Sequence, residues 1–349
     1  RYHSLSCMTV LGKKDVRELG IVTPHEHIFI DMSVFFTEPE EISAKVTAHG
    51  PVTIEKLGLL KRNNFAVLDN VQMMDYETQK KEIMEFKYAG GCTVVDASNH
   101  GLGRDPELLR RISIDTGLNV ITGSGYYVAG AQDAKTLELS TQAMEDDIVR
   151  DLEIGIGHTG IRAGYIGEIG INFDMPDFEV RSLTAACRAQ KRTNAPLMVH
   201  INPWCTRGLD AMKIVNAHSI APEKVVICHS DVQNNEDYIF QLLDQGVYVE
   251  FDNFGKENNT DPWDIGPGNG RFVTDWERVR LIKKIIDRGY LKQLLFSCDI
   301  CLKTLLHAYG GWGYDHILTH ILPMLREIGV TDEQIDEILV HNPARWLDF

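Results

Sequence analysis

Along the chain, short runs of β-branched and other apolar residues alternate with longer segments whose apolar positions recur at helical spacing. Eight of the short runs have the length and composition of buried strands. In chain order they are residues 21–30, 92–98, 119–127, 163–171, 196–202, 224–231, 247–253 and 293–300. Strands and helices in regular alternation indicate parallel βαβ units.

Eight such units close naturally into a (β/α)₈ TIM barrel, which we predict for residues 1–349 as a single domain. The competing fold is an open doubly wound sheet, but that fold carries a Gly-rich phosphate loop after its first strand, where this chain has histidines. Residues 8–20, MTVLGKKDVRELG, predict a small N-terminal β-hairpin with a charged turn. Two connections, residues 32–71 and 255–274, are long enough to indicate a function, and we expect the second to be a mobile lid.

The stretch TPHEHIFID, residues 23–31, places two histidines around a glutamate in the first predicted strand. Zinc-protease helices use H-E-x-x-H, whereas residues two apart share a face only on an extended strand. Pro24 also argues against a helix interior. We therefore expect His25 and His27 to point to one side as half of a metal site. Glu26 faces the other way, in a packing or supporting role.

Composition and charge narrow the classes of partner. The net charge of −15, from 35 basic and 50 acidic residues, argues against nucleic acid and anionic membranes, since both require a cationic face. No apolar run reaches the roughly 18–20 residues of a transmembrane helix. Seven cysteines show no paired framework. We expect a reduced, cytoplasmic protein with a small-molecule substrate, no nucleic-acid or membrane partner, and a homodimer left open.

Residues that can bind metal fall at or near the carboxyl ends of five predicted strands. In a barrel these ends converge on the face that holds the active site. A lone histidine at a strand end is usually a satisfied polar residue, but a whole set on converging strands indicates a functional site. Four histidines and two carboxylates exceed the needs of one tetrahedral metal and suit two metals bridged by a carboxylate and a hydroxide. The set is His25, His27, Glu168, His200, His229 and Asp299.

The order of these residues resembles that of the amidohydrolase superfamily, and several short motifs resemble the phosphotriesterase family. The motifs are TVLG near the start, TPHEH, GRD at residues 103–105, GEIG at residues 167–170, and the closing GYDHIL and NPARWL. The resemblance runs nearly from end to end, and the last stretch is most similar to the phosphotriesterase-related proteins. It implies a distorted barrel of the amidohydrolase type and a hydrolase with two divalent metal ions, with zinc expected before manganese.

The resemblance also divides the six residues between the two metals and assigns the bridge. It implies that His25, His27 and Asp299 bind the more buried metal, that His200 and His229 bind the more exposed one, and that Glu168 bridges both.

At the bridge, this chain departs from the organophosphate-degrading members of the family. Those members use a carboxylated lysine where this chain has Glu168, which places its carboxylate nearer the backbone. The metal pair must then shift towards the fourth strand, or that strand must approach. We expect Gly167 and Gly170 to let the backbone come close to the metals. The shorter bridge argues against activity on paraoxon-like triesters.

Asp299 is the expected catalytic residue. The hydroxide shared by the metals would be the nucleophile, and Asp299 would hold it and carry its proton to the leaving group. Four side chains are predicted to contact the substrate: Tyr127, Trp204, Trp263 and Arg104. The competing interpretations are packing at the rim for Tyr127 and a loop salt bridge for Arg104.

Two classes of function remain open. The favoured one is a binuclear hydrolase of a small carboxylate ester, lactone or phosphorus ester, followed by an amidase for small N-acyl compounds. The rival is a non-catalytic small-ligand binder on the same barrel, which the intact ligand set disfavours. A mononuclear deaminase is disfavoured because Glu168 would then have no function.

Overall fold

The computed structural model describes residues 5–261 and 268–349, and these contain twelve strands and thirteen α-helices. The strands are β1 Ser6–Thr9, β2 Gly12–Asp15, β3 Val22–Glu26, β4 Ile30–Asp31, β5 Gln72–Met73, β6 Thr93–Asp96, β7 Asn119–Ser124, β8 Tyr165–Ile171, β9 Leu197–Ile201, β10 Val225–Ile227, β11 Tyr248–Phe251 and β12 Leu294–Phe296. The helices are α1 Ile42–His49, α2 Leu57–Arg62, α3 Tyr76–Tyr88, α4 Pro106–Thr116, α5 Ala134–Leu137, α6 Thr141–Glu153, α7 Asp177–Thr193, α8 Gly208–Ala217, α9 Glu236–Asp244, α10 Asp275–Asp287, α11 Leu322–Glu327, α12 Asp332–Asp336 and α13 Asn342–Leu347.

Eight strands form one sheet in the order β3, β6, β7, β8, β9, β10, β11, β12, with parallel pairing between hydrogen-bonded neighbours. At least one helix follows each strand, which confirms the predicted (β/α)₈ barrel. Side chains from the barrel strands, among them Tyr165, Met198 and Leu295, pack into one cluster with Trp346 of α13. The hairpin of β1 and β2 contributes Cys7 to the same cluster, so it closes one end of the barrel.

The glutamate between the two histidines closes the seam between β3 and the last strand, β12. The Glu26 carboxylate is fully buried and accepts hydrogen bonds from the Ser297 hydroxyl at 2.8 Å and from the backbone N–H groups of Cys298 at 3.0 Å and Ile300 at 2.9 Å. Thr23 donates a further bond from β3 itself, at 2.7 Å. A carboxylate therefore joins the two edge strands, as the supporting role predicted for this residue requires.

Glu26→Ala should lower the free energy of unfolding by about 2–6 kcal/mol, because two buried N–H donors lose their acceptor at about 1–3 kcal/mol each. Chemical denaturation of the variant measures the loss. Glu153→Ala, at an exposed position on α6, is the matched control and should change stability by less than about 0.5 kcal/mol. A Glu26→Ala protein as stable as the control would contradict the closing role.

Two local predictions were wrong. The first barrel strand ends at Glu26, and Ile30–Asp31 instead pairs antiparallel with β5. The predicted hairpin is present, but it turns at residues 10–11, and the charged residues expected in its turn lie on β2. The long connection 32–71 holds α1 and α2.

All seven cysteines are free thiols. Within residues 5–261 and 268–349, every helix is too short or too polar to cross a membrane.

Candidate metal centre

The strands bring the six predicted ligand residues together at the carboxyl end of the barrel. His25 lies on β3 with His27 just after it, Glu168 lies on β8, and His200 lies on β9. His229 and Asp299 follow the ends of β10 and β12. All six are buried, with at most 8% of each residue exposed.

Two of these residues have a backbone conformation that residues other than glycine rarely adopt. His229 has φ of 62° and Asp299 has φ of 48°, both in the left-handed region. Non-glycine residues persist there only where the surrounding structure enforces it, and such positions cluster at functional sites. The backbone turns sharply after each strand and directs both side chains over the barrel mouth.

Glu168 lies at the centre of the group. Its Oε1 atom is 2.9 Å from His200 Nδ1, 3.3 Å from His229 Nε2 and 3.4 Å from His25 Nε2. Its Oε2 atom is 3.8 Å from His27 Nε2. One carboxylate therefore faces all four imidazoles, as a bridging ligand must.

Asp299 contacts two of the four histidines. Its Oδ1 atom is 3.1 Å from His27 Nε2 and 3.4 Å from His25 Nε2. Its Oδ2 atom points away and accepts a hydrogen bond from Lys256. The two oxygens thus have different partners, and Oδ1 is the atom available to a metal or to a reacting water.

Two buried acidic residues, Glu250 on β11 and Asp252 just after it, contact two of the histidines. Glu250 lies 2.7 Å from His25 Nδ1, and Asp252 lies 2.9 Å from His229 Nδ1. With both carboxyl groups ionised, each Nδ1 would carry the proton and leave a lone pair on the Nε2 that faces Glu168. The sequence reasoning missed both residues, although two acidic side chains two positions apart in an apolar strand were a usable signal.

His27 is oriented by a hydroxyl. Ser98 Oγ donates to the carbonyl oxygen of Phe29 at 2.8 Å, so it accepts from His27 Nδ1 at 2.9 Å. This also leaves the lone pair on His27 Nε2, directed into the site. With these tautomers, three of the four imidazoles would present a basic nitrogen to the same small volume, as metal-binding histidines do.

The donor set fits divalent metal ions. His25 Nε2 and Asp299 Oδ1 are buried without a hydrogen-bond partner anywhere in the part of the chain that the structure describes. An unpaired buried polar atom is costly, and a cation between such atoms removes that cost. Within the described residues, three of the four groups whose ligand atoms lie within 4.8 Å of one another are built from the six predicted ligand residues: His25, His27 and Glu168; Glu168, His200 and His229; and His25, His229 and Asp299.

Both carboxylates are held in the charged form. Burial alone would raise the pKa of Glu168, but the imidazoles of His25, His200 and His229 lower it well below its usual range. Burial would likewise raise the pKa of Asp299, and the Lys256 ammonium lowers it. Two ionised carboxylates in a buried site are the ligands that cations require.

The glycines beside Glu168 allow close packing against β8. A Cβ atom on Gly170 would lie 2.1 Å from the backbone nitrogen of Val128, and one on Gly167 would lie 2.8 Å from the carbonyl oxygen of Met198. Both glycines therefore allow neighbouring chain segments to approach β8, while the approach of the backbone to the metals stays a prediction.

A cavity of about 530 Å³ opens above the six residues. Tyr127 and Trp204 line it, as predicted for substrate contacts, and the Tyr127 ring packs edge-on against His200 at 4.7 Å between centroids. Trp263 lies outside the described residues. Arg104 lies away from the cavity: it donates to the carbonyl oxygen of Gly123 and pairs with Asp151 at 3.0 Å. Its placement is that of the loop salt bridge, and the substrate contact predicted for it gains no support.

The two long connections meet over the cavity. Arg62 on α2 forms an ion pair with Asp261 at 2.5 Å, and the backbone N–H of Asp261 donates to the Arg62 carbonyl oxygen at 2.7 Å. Asn258 donates to the carbonyl oxygen of Lys61 at 2.9 Å. The first described part of this connection, residues 255–261, is therefore tied to α2, while the mobility of the connection stays a prediction.

A parallel barrel with buried histidines and carboxylates gathered at the carboxyl ends of its strands defines a metal-dependent hydrolase. The chain matches the phosphotriesterase family over residues 5–347, and it belongs to this family. The family resemblance inferred from the motifs is thereby confirmed.

Three similar proteins carry names that describe different activities. N-acetyltaurine hydrolase from Dictyostelium discoideum is 32% identical, over 97% of this chain and 96% of its own length. The structure of a resiniferatoxin-binding protein from Rhodobacter sphaeroides is 34% identical with a TM-score of 0.94, over 99% of this chain and 96% of that one. Organophosphorus hydrolase from Deinococcus radiodurans is 26% identical with a TM-score of 0.78, over 99% and 98% of the two chains.

Proposed function

We propose that this chain is a binuclear metal-dependent amidase that hydrolyses small N-acyl compounds. The observation that carries the proposal is the similarity to an N-acetyltaurine hydrolase along 97% of the chain. From the sequence alone, a hydrolase of esters or lactones was favoured over an amidase. The similarity reverses that order, because it joins a named amide substrate to nearly the whole chain.

The six buried residues are proposed to hold two divalent metal ions. Zinc is the favoured metal and manganese is the alternative. Glu168 is the proposed bridge, since its two oxygens face the imidazoles of both halves of the site. When bound, the metals would polarise the acyl carbonyl and increase the acidity of the attacking water.

Asp299 is the proposed catalytic residue. Its Oδ1 atom accepts the proton of the attacking water as the new C–O bond forms at the acyl carbon. The same carboxyl group then donates this proton to the amide nitrogen, the C–N bond breaks, and a free amine and a carboxylic acid result. The charged state of Asp299 suits the first step, because only the carboxylate can accept the proton.

Tyr127 is proposed to hydrogen-bond the acyl oxygen. Burial raises the pKa of its phenol well above the ordinary value, with Glu168 and Asp299 adding to the effect, so the O–H remains a donor. The surrounding wall is largely apolar and includes Phe35, Phe254 and Trp204. Such a wall excludes bulk water and thereby strengthens each polar contact inside.

A panel of matched substrates tests the proposal. Metal-loaded enzyme should hydrolyse N-acetyltaurine and N-acetyl amino acids with kcat/KM of about 10⁴ M⁻¹s⁻¹ or more, the lower end of the usual range. Chelation should abolish this turnover, and added metal should restore it. Rapid cleavage of carboxylate esters or lactones without measurable amide turnover would contradict the amidase assignment and return esters to first place.

A second candidate is a binding protein for an apolar small molecule. The Rhodobacter protein named for binding resiniferatoxin and the apolar cavity favour it. A binder would keep its ligand affinity after chelation and show no turnover, whereas the amidase loses both turnover and metal-dependent substrate binding.

A further inference from the structure

A buried ammonium group adjoins the candidate metal centre, and the sequence reasoning missed it. Lys256 is 9% exposed and lines the cavity beside Asp299. Its Nζ atom donates to Asp299 Oδ2 at 3.0 Å and to Asn253 Oδ1 at 2.9 Å. An ammonium has three N–H donors. Within residues 5–261 and 268–349, the third donor has no protein partner.

Hydrogen bonds to its backbone fix the position of Lys256. The buried guanidinium of Arg278 donates to the Lys256 carbonyl oxygen at 2.7 Å and is itself paired with Asp275 at 2.8 Å and Asp231 at 3.2 Å. The Lys256 backbone N–H also donates to the carbonyl oxygen of Asn253 at 3.1 Å. A cation held by its backbone and its ammonium is preorganised, so a ligand that it binds does not have to order it.

A local positive charge in the cavity wall favours an anionic ligand. Two divalent cations would balance the carboxyl groups of Glu168, Asp299, Glu250 and Asp252, and the Lys256 ammonium adds a positive charge at the wall. One carboxylate at the rim opposes this, that of Glu257, whose Oε1 accepts the backbone N–H of Asp275. Lys256 therefore gives the cavity wall beside Asp299 a local positive charge.

We propose that Lys256 binds a carboxylate or sulfonate on the amine side of the N-acyl substrate. The inference rests on the proposed function, in which Asp299 delivers its proton to the leaving nitrogen. Lys256 is hydrogen-bonded to the same carboxyl group. The leaving amine therefore lies on the Lys256 side of the site. The substrates it selects are N-acyl amino acids or N-acyl aminosulfonates with a short spacer between nitrogen and acid.

Lys256→Met, which keeps much of the length and removes the charge, tests the proposal with two acidic substrates and one neutral one. The substrates are N-acetyltaurine, N-acetyl-β-alanine and the neutral N-(2-hydroxyethyl)acetamide. The preference for each acid over the neutral amide, as a ratio of kcat/KM, should fall about 10–100-fold, the effect of one hydrogen bond to a charged group. The change should lie mainly in KM, and Lys256→Arg should restore part of it. Comparing the two acids separates sulfonate from carboxylate recognition.

Lys61→Met is the matched control, since Lys61 is an exposed lysine on α2 at the cavity rim. Its preference ratio should stay within about threefold of wild type, as expected for a screened surface charge. A Lys256→Met enzyme with unchanged ratios and an equal loss of kcat on all three substrates would overturn the proposal. That result would leave Lys256 as a positioning residue for Asp299.

Calorimetry with taurine and β-alanine on metal-loaded protein separates this inference from the amidase assignment. Wild type should bind both acids at least tenfold more tightly than Lys256→Met, whose metal content and melting temperature are measured alongside. Equal binding would overturn the inference even if amides are hydrolysed. Tight, lysine-dependent binding without amide turnover would support the anion site and contradict the proposed reaction.

Discussion

Asp299→Asn should lower kcat on the best N-acyl substrate by about 10²–10⁴-fold, the usual contribution of a general base and acid. An asparagine keeps the shape of the side chain and an oxygen near His27 and His25, but it cannot accept the proton of the attacking water. The loss should therefore appear in kcat more than in KM. Steady-state kinetics with a metal analysis of the same sample provides the measurement.

Much of the metal should remain bound in this variant, because five of the six ligand residues are unchanged. Asp177→Asn, at an exposed side chain on α7, is the matched control and should behave as wild type. If metal-loaded Asp299→Asn turns over within about threefold of the control, the proton-transfer role is wrong and another group must carry that proton.

Glu168→Gln should lose at least one metal equivalent and essentially all turnover. The amide keeps the shape of the side chain, but it removes the negative charge that lies between the two cations and screens them from each other. The surrounding imidazoles offer no replacement charge. Metal analysis after equilibrium dialysis, with activity measured on the same samples, tests both expectations.

A glutamate bridge also has a consequence that a carboxylated lysine does not share. A lysine carbamate forms from carbon dioxide, whereas Glu168 carries its carboxylate permanently. Apoenzyme should therefore recover full activity from divalent metal alone in carbonate-free buffer, with no further gain on adding bicarbonate. Bicarbonate-dependent reactivation, or a Glu168→Gln enzyme with two metals and normal turnover, would contradict the bridge.

The barrel and the six candidate metal ligands were predictable because both depend on patterns within short stretches of the sequence. Alternating strand and helix periods define the βαβ units, and the ends of parallel strands must converge. His25 and His27 reveal an extended conformation by their spacing alone. That same spacing turns Glu26 to the other face, where it joins β3 to β12.

The surroundings of the site were not predictable in the same way, because they depend on contacts between distant segments. Lys256 lies in the polar stretch GKENN, and only the fold places its ammonium beside Asp299, 43 positions away in the chain. Arg104 follows a strand, as a substrate-contacting residue would, yet its guanidinium forms an ion pair with Asp151 on α6. The run after His27 was apolar enough for a barrel strand, but pairing with β5 takes it out of the barrel.

The number of metal ions per chain tests the central claim most directly. Protein expressed with excess zinc, or stripped and reconstituted, should hold about two equivalents by elemental analysis, because two sets of buried donors share Glu168. The second equivalent should be lost selectively on replacing His200 or His229, which we propose bind the more exposed metal. A stoichiometry that stays at one or below after reconstitution with zinc or manganese would contradict the binuclear centre.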